Sequence, residues 1–477
     1  MRATLAHLMA ALPGARLVLP AHGDGAADTA FDGVSTDSRS APAGALFVAL
    51  RGETFDAHDF LEQVAAKGVA AVIAEELPAG WTLPAIVVPN SLTALGQIAH
   101  QWRAQFAIPV IGVTGSNGKT TVKEMIAAIL AAASSEATRL ATRGNLNNEI
   151  GVPLTLFRLD AGHRAAVVEL GMNHPGEIAR LAAIAAPTIG MVNNAQREHQ
   201  EFMHTVEAVA LENGAVLAAL PQDGVAVYPG DEPYTALWQG LAQGRRSITF
   251  GFDAVCTVSC THSANAFGSE LQVVVNGAAP QVFGVRLAAA GLHNVRNALA
   301  AIACAVAAGV STPAIVAGLE AFAPVNGRLQ RKQAVCGATV IDDSYNANPD
   351  SVRAAIDVLA QAAAPRILVL GDMGEVGAQG PQFHEEIGAY AASRGIELVL
   401  ATGELARHLI TGGVQHADNA GRFKHFEQFD ALLAALDSTL GSKSEATVLV
   451  KGSRFMKMER VVQHLVDASL NTSKEAH

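Results

Sequence analysis

Residues 108–130 run IPVIGVTGSNGKTTVKEMIAAIL, and this stretch restricts the fold more than any other part of the chain. A β-branched run, Val110 to Val113, leads into a glycine-rich turn. From Lys119 or Thr120 onward, apolar residues recur at Val122, Met125, Ile126, Ile129 and Leu130, the spacing of one helix face. Strand, glycine loop and helix in that order make an anion cradle, because the loop turns its N–H groups inward and the helix N-terminus adds positive potential. Lys119 is placed to reach the β- and γ-phosphates of a nucleotide, and the Thr120 hydroxyl to ligate Mg²⁺. The general phosphate-loop pattern has another glycine five positions before Gly118, where this chain has Val113. Thr114, Gly115, Ser116, Asn117, Gly118, Lys119 and Thr120 are the candidate ATP-binding loop.

The rest of the chain alternates in the same manner. Short apolar strands such as ALFVAL, VAAVIAE and AIVVPN come first, then AAVVEL and TIGMVNN, a more β-like stretch from Gly224 to Val285, and finally ATVIDD, RILVLGDM, ELVLATG and ATVLVKGS, with helical segments between them. That is the pattern of an α/β protein with mainly parallel sheets. At ~150 residues per domain, 477 residues suggest three units, expected at 1–84, 85–312 and 313–477. The last is Rossmann-like in its alternation. It lacks a G-x-G-x-x-G after its first strand, which speaks against a dehydrogenase.

Charge narrows the function further. With 33 Lys plus Arg against 44 Asp plus Glu, the formal net charge is -11. A chain of that balance does not bind by spreading cations along a nucleic acid or an anionic membrane, although a local anion site is compatible with it. No apolar run approaches the ~20 residues that span a bilayer. The opening MRATLAHLMAALPGA has the spacing of an ordinary amphipathic helix at Leu5, Leu8, Met9 and Leu12, not of a signal peptide. Four scattered cysteines fit a reducing compartment, and Cys256 and Cys260 lack the second ligand pair that zinc needs. A cytoplasmic monomer is expected.

Phosphoryl chemistry needs hard oxygen ligands for a metal near the loop. Glu169 closes the apolar run RAAVVEL ahead of Gly171, the place of a carboxylate at the carboxyl edge of a sheet. His199 follows the run that ends at Asn193 and is a weaker candidate on its own.

The segment TGSNGKT resembles the phosphate loop of the Mur ligases and the related folylpolyglutamate synthetases, which also replace the first glycine. The resemblance continues through STDSRSAPAGALFVALRGETFDAHDF, TRGNLNNEIGVPLTL, VVELGMNHPGEI, GLHNVRNALAA, NGRLQ, IDDSYNANPDS, LVLGDMGEVG and VKGSRFMKMER. Within the family, DDSYNANPDS and KGSRFMKME are similar to the branch that adds D-alanyl-D-alanine to a UDP-N-acetylmuramoyl tripeptide. The Asp-Asn-Pro-Arg motif of the branch that adds diaminopimelate or lysine is absent.

This resemblance implies an N-terminal domain that holds the UDP-sugar, a central ATPase and a C-terminal Rossmann-like domain. It implies ATP and Mg²⁺ as cofactors and an acyl-phosphate intermediate attacked by an amine. Lys119, Glu169 and His199 would be catalytic, and Thr120, Glu169 and His199 would hold the metal. Asn297 would contact adenine, Arg328 the phosphates and Asp343 the ribose. Ser38 and Arg39 would meet the uridine diphosphate, and Asn145, Asn147 and Asn148 the muramoyl substrate. Asn346, Asn348 and Arg454 would face the dipeptide, the arginine because its planar fork suits a free carboxylate. The alternative is another Mur-type or folylpolyglutamate-type ligase that adds a single amino acid. In one place the chain departs from the family. The lysine of an Ala-Lys-Gly-Glu motif, which becomes carbamylated to support a second metal, is replaced by Asn213 in VALENGAVL, with Glu212 as the nearest carboxylate to take over.

Overall fold

Strands that are apolar at every position can lie only in a sheet covered on both faces, and the chain builds three such sheets. The computed structural model describes residues 1–19, 28–52, 54–198, 200–265, 267–416, 420–441 and 444–467. The first sheet runs Arg16–Val18, Ala85–Val87, Ala71–Ala74, Leu46–Val48, Val34–Ser35. Only its first strand is antiparallel to its neighbour. The N-terminal helix is shorter than its amphipathic spacing suggests. It spans Leu5–Met9, started by a Thr4 cap, and buries Leu5 and Leu8.

The central sheet has nine strands, ordered Gln281–Leu287, Gly268–Val275, Val258–Asn265, Arg246–Phe250, Val225–Pro229, Ile189–Val192, Val110–Thr114, Ala165–Glu169, Arg139–Ala141. Seven run parallel, and a final antiparallel pair extends one edge. The chain enters this sheet at Val110–Thr114, builds to one side of it with Arg139–Ala141 and Ala165–Glu169, and then to the other from Ile189–Val192 onward. Strand order thus reverses at the glycine loop, and the carboxyl ends of the three middle strands open a crevice there.

The third sheet is ordered Gln330–Gln333, Thr339–Asp343, Thr447–Lys451, Arg366–Leu370, Leu398–Thr402, Phe423–Phe426, parallel except at its first strand. The helix Thr312–Ala321, at the expected opening of the third unit, packs along the helix Lys119–Ala133 of the central layer. One apolar cluster joins the first and central units, running from Leu5, Leu46 and Ile86 through Leu95 and Ile98 to Leu156, Val168 and Leu181. Two further clusters, around Ile356 and Leu370 and around Leu400 and Leu436, fill the third. Among the described residues no helix is long and apolar enough to cross a membrane. All four cysteines are free, with Cys256, Cys260 and Cys304 buried.

Candidate functional site

The loop after Val110–Thr114 keeps its shape through backbone conformations that side chains resist. Gly118 has φ 82, and a Cβ there would lie 2.4 Å from Asn297 Oδ1. The helix Lys119–Ala133 that follows has no side-chain cap, so its first N–H groups face the crevice without a competitor from the chain. The loop is braced from the neighbouring strand end. Ser116 N donates to Asn194 O at 3.2 Å and Asn117 N to Asn194 Oδ1 at 2.9 Å. Asn193 Nδ2 donates to Asn117 O and to Asn297 Oδ1, at 2.7 and 2.9 Å. Lys119 folds back over the loop. Its Nζ donates to Gly115 O at 2.6 Å and Ser116 O at 3.2 Å, and pairs with Glu198 Oε1 at 3.1 Å.

Glu169 ends the adjacent strand, in register with Val113. Its Oε1 accepts from Asn147 Nδ2 at 2.8 Å, while Oε2 is buried with no hydrogen-bond partner among the described residues. A Cβ at Gly171 would lie 2.7 Å from Asn147 Nδ2, so only glycine lets this asparagine reach the carboxylate. A buried carboxylate oxygen without a partner is costly unless something else satisfies it. The Thr120 hydroxyl, on the first turn of the loop helix, is the second hard oxygen on this edge and accepts from Arg328 Nη2 at 2.9 Å. No group of three or more His, Cys, Asp or Glu able to hold a metal occurs among the described residues. One carboxylate plus a hydroxyl suits Mg²⁺, which takes few protein ligands and completes its shell with phosphate and water. His199 lies outside the described residues.

The third unit covers this edge. Arg328 reaches Thr120 from the linker, with its guanidinium 4.3 Å over the Tyr345 ring. Asn348 makes a capping box with Ser351 at the start of the helix Pro349–Ala360, and its Nδ2 donates to Asn117 Oδ1 at 2.9 Å. Asn348, expected on the dipeptide side, therefore touches the nucleotide loop. Asp343, expected near a ribose, is engaged within the chain, with Oδ2 2.6 Å from Lys451 Nζ and Oδ1 accepting from Leu329 N at 3.1 Å. Burial pushes its carboxyl up, against the pull of Lys451. Asn346 turns Oδ1 onto Ala347 N and gives its carbonyl to Lys451. Arg454 is exposed, pairs with Glu459 at 3.0 Å and lies 5.8 Å from the Tyr345 centroid.

The other candidates are spread more widely. Ser38 and Arg39 lie on a turn of the first unit whose carbonyls accept from Lys67 Nζ at 2.7 and 2.8 Å. Arg39 also grips Asp37 through two nitrogens, holding that carboxyl down to about 2. Asn145 is exposed, and Asn148 Oδ1 accepts from Gly151 N at the start of the helix Gly151–Leu156. Asn297, expected to reach adenine, is buried beneath Gly118 and also donates to Asn294 Oδ1 at 3.0 Å.

At the position of the family lysine, Asn213 is fully buried and accepts from Thr114 Oγ1 at 2.6 Å. Glu212 does not take over for that lysine. Its two oxygens accept from Gly176 N and Ile178 N, each at 2.8 Å, which ties them to the start of the helix Glu177–Ala185. Residues that motif reasoning passed over include Asn194, Gln196, Arg197, Glu198 and Lys451. Their one local signal is that each follows or ends an apolar strand.

Comparison with known proteins adds to this geometry. Family models match in order along the chain: "Mur ligase family, catalytic domain" over residues 30–103, "Mur ligase middle domain" over 113–305 and "Mur ligase, glutamate ligase domain" over 327–454. The UDP-N-acetylmuramoyl-tripeptide–D-alanyl-D-alanine ligase of Escherichia coli (strain K12) is 38% identical over 442 residues, covering 92% of this chain and 94% of that protein. A crystal structure of MurF from Acinetobacter baumannii superposes with a TM-score of 0.88 at 35% identity, over 98% of this chain and 99% of that one. MurF from Thermotoga maritima in complex with ADP gives a TM-score of 0.80 at 25% identity, over 92% of this chain and 98% of that one.

Proposed function

This chain belongs to the Mur ligase family, and from that premise we propose that it joins D-alanyl-D-alanine to a UDP-N-acetylmuramoyl tripeptide at the expense of ATP, as a step in building peptidoglycan precursors. Its full-length similarity to ligases of that name supports the substrates. The observation that carries the chemistry is the uncapped helix start beside a buried, unpartnered Glu169 oxygen.

A carboxylate resists attack by an amine until one oxygen becomes a good leaving group. The tripeptide carboxylate attacks the γ-phosphorus of ATP, releasing ADP and forming an acyl phosphate. The free amine of D-alanyl-D-alanine then adds to the acyl carbon, and the tetrahedral intermediate loses inorganic phosphate and a proton to leave the amide. Lys119 and the loop N–H groups hold the phosphates, and Arg328 brings a second cation to the same edge. Thr120 and Glu169, with His199, would hold Mg²⁺, which would supply charge neutralisation for the phosphoryl transfer.

Ser38 and Arg39 of the first unit would meet the uridine diphosphate, and Asn145, Asn147 and Asn148 the muramoyl peptide. Asn346 and Arg454 would be the third unit's residues for the dipeptide, while Asn348 and Asn297 brace the nucleotide loop and Asp343 is held by Lys451. The acyl phosphate must be kept from water, which is the task of the covering third unit. A monomer working in the cytoplasm, where both nucleotide substrates are made, fits the set.

The test is incubation of the purified chain with ATP, Mg²⁺ and the UDP-muramoyl tripeptide, with D-alanyl-D-alanine or single amino acids as acceptor. Amide product and phosphate are expected only with the dipeptide. Product with a single amino acid alone would assign a different Mur-type ligase.

A further inference from the structure

Three consecutive residues, Gln196, Arg197 and Glu198, touch both sides of the crevice. On one side Gln196 N donates to Ser116 Oγ at 2.9 Å, Gln196 Oε1 accepts from Asn117 Nδ2 at 2.6 Å, and Glu198 holds Lys119. On the other side Arg197 reaches the third unit. Its backbone N and Nη2 donate to Asp350 at 2.9 and 2.7 Å, Nε donates to both Asp350 oxygens, and Nη1 donates to Glu386 Oε2 at 3.0 Å. The guanidinium also lies 5.2 Å over the Phe383 ring. One side chain thereby grips two helices of the third unit, Pro349–Ala360 and Gly380–Ser393.

A fork-shaped cation between two carboxylates defines direction as well as distance, which a lysine in its place would not do. Because a residue advances the chain by at most about 3.8 Å, any shift of Arg197 is passed directly to the partners of Ser116, Asn117 and Lys119. The second link, Asn117 to Asn348, lies two residues from Asp350 and draws the same helix start onto the loop.

We propose that Arg197 is a positioning residue that makes docking of the third unit and seating of the nucleotide loop a single event. It rests on the ligase activity proposed above. When the strap is cut, the nucleotide still binds, but the third unit docks loosely over the acyl phosphate. Water then competes with the amine, giving the tripeptide carboxylate and inorganic phosphate instead of amide.

The test compares the intact chain with Arg197→Ala, Asp350→Asn and the reversed pair Arg197→Asp with Asp350→Arg, the pair built together with Glu386→Gln so that the new aspartate does not face a second carboxylate. It measures amide formed, phosphate released, affinity for an ATP analogue, and melting temperature. For Arg197→Ala, amide turnover should fall about tenfold or more, the scale of a small misplacement at a reacting centre. Analogue affinity should stay within about threefold, and phosphate released per amide should rise above one. Asp350→Asn should shift the same ratio in the same direction, and the reversed pair should restore it toward one. A ratio that stays at one in both single variants overturns the proposal, as does a reversed pair that keeps its melting temperature but not its coupling.

If the unmodified chain makes no amide from these substrates, the ligase assignment fails instead. Solution scattering then decides the strap. Compaction on adding the ATP analogue that Arg197→Ala abolishes supports it, and equal compaction in both chains sinks it.

Discussion

Two turns in this molecule follow a parallel strand and start a helix, and they treat the helix start in opposite ways. After Val110–Thr114, glycine occupies the cap position with φ 82 and no side chain closes the helix Lys119–Ala133. After Thr339–Asp343, Asn348 and Ser351 cap the helix Pro349–Ala360 reciprocally. An uncapped helix start leaves its N–H groups and positive potential to a ligand, whereas a capped one has satisfied them already. The same strand–turn–helix unit therefore serves in one place as an anion seat and in the other as a rigid mount, from which Asn348 and Asp350 reach the seat.

Closing the open turn should have the largest effect. In Gly118→Ala the new Cβ meets Asn297 Oδ1 at 2.4 Å in a backbone conformation that costs an L-residue about 1–2 kcal/mol. ATP affinity, read by equilibrium binding, should fall by about a hundredfold or more, combining that strain with the displaced loop donors. Retained affinity would show that the loop does not seat the phosphates.

Opening the closed turn should do less. Asn348→Ala removes the cap and should cost about 1 kcal/mol of stability. Asn348→Ser keeps a capping oxygen but is too short to reach Asn117, so its melting temperature should stay near that of the unmodified chain while its turnover falls as in the alanine variant. If both variants keep full turnover, the amide pair between the two units is dispensable.

A third turn gives the smallest expected effect. The turn after Arg366–Leu370 is tied to the helix Gly380–Ser393 by buried His384, which accepts from Met373 N at 3.0 Å through Nε2 and faces Gly380 O at 2.7 Å through Nδ1. Those partners require a neutral ring with its proton on Nδ1. Burial, the largest influence, lowers its pKa below the ordinary 6.5. Below pH 6.5 the unfolded chain takes up a proton that the folded chain refuses. The stability from this group is therefore present above that pH and lost as pH falls toward the depressed folded value, at up to about 1.4 kcal/mol per pH unit. His384→Gln should flatten the acid limb of a stability profile, and an unchanged slope would remove the histidine from the account.

What the sequence made legible was local. The glycine loop, its strand and its helix follow from periodicity and spacing within 108–130, and Glu169 follows from its place at the end of a buried strand. Asn297 was not legible as a brace, because a polar residue in an alanine-rich helix looks the same whether it faces solvent or a loop. Its partner Asn193 lies 104 residues away in the chain. Arg197 and Asp350 are 153 apart, and neither belongs to a motif that announces the other. Glu212 offered a carboxylate beside Asn213, but its oxygens were already taken by a helix start that only the fold brings near.

The apolar cluster shared by the first two sheets has a mechanical consequence. Of the three larger sheets among the described residues, the first two share part of their interior, so Leu46 and Ile86 cannot be exposed without also stripping Leu156 and Val168. The third sheet is packed by clusters to which the central unit adds only Ala290 and, at the margin, Phe267, and it meets the loop largely through polar groups. Those polar contacts can part and re-form in water at the cost of little apolar surface. The third unit's contacts with the loop can therefore break without uncovering the interior that the first two units share.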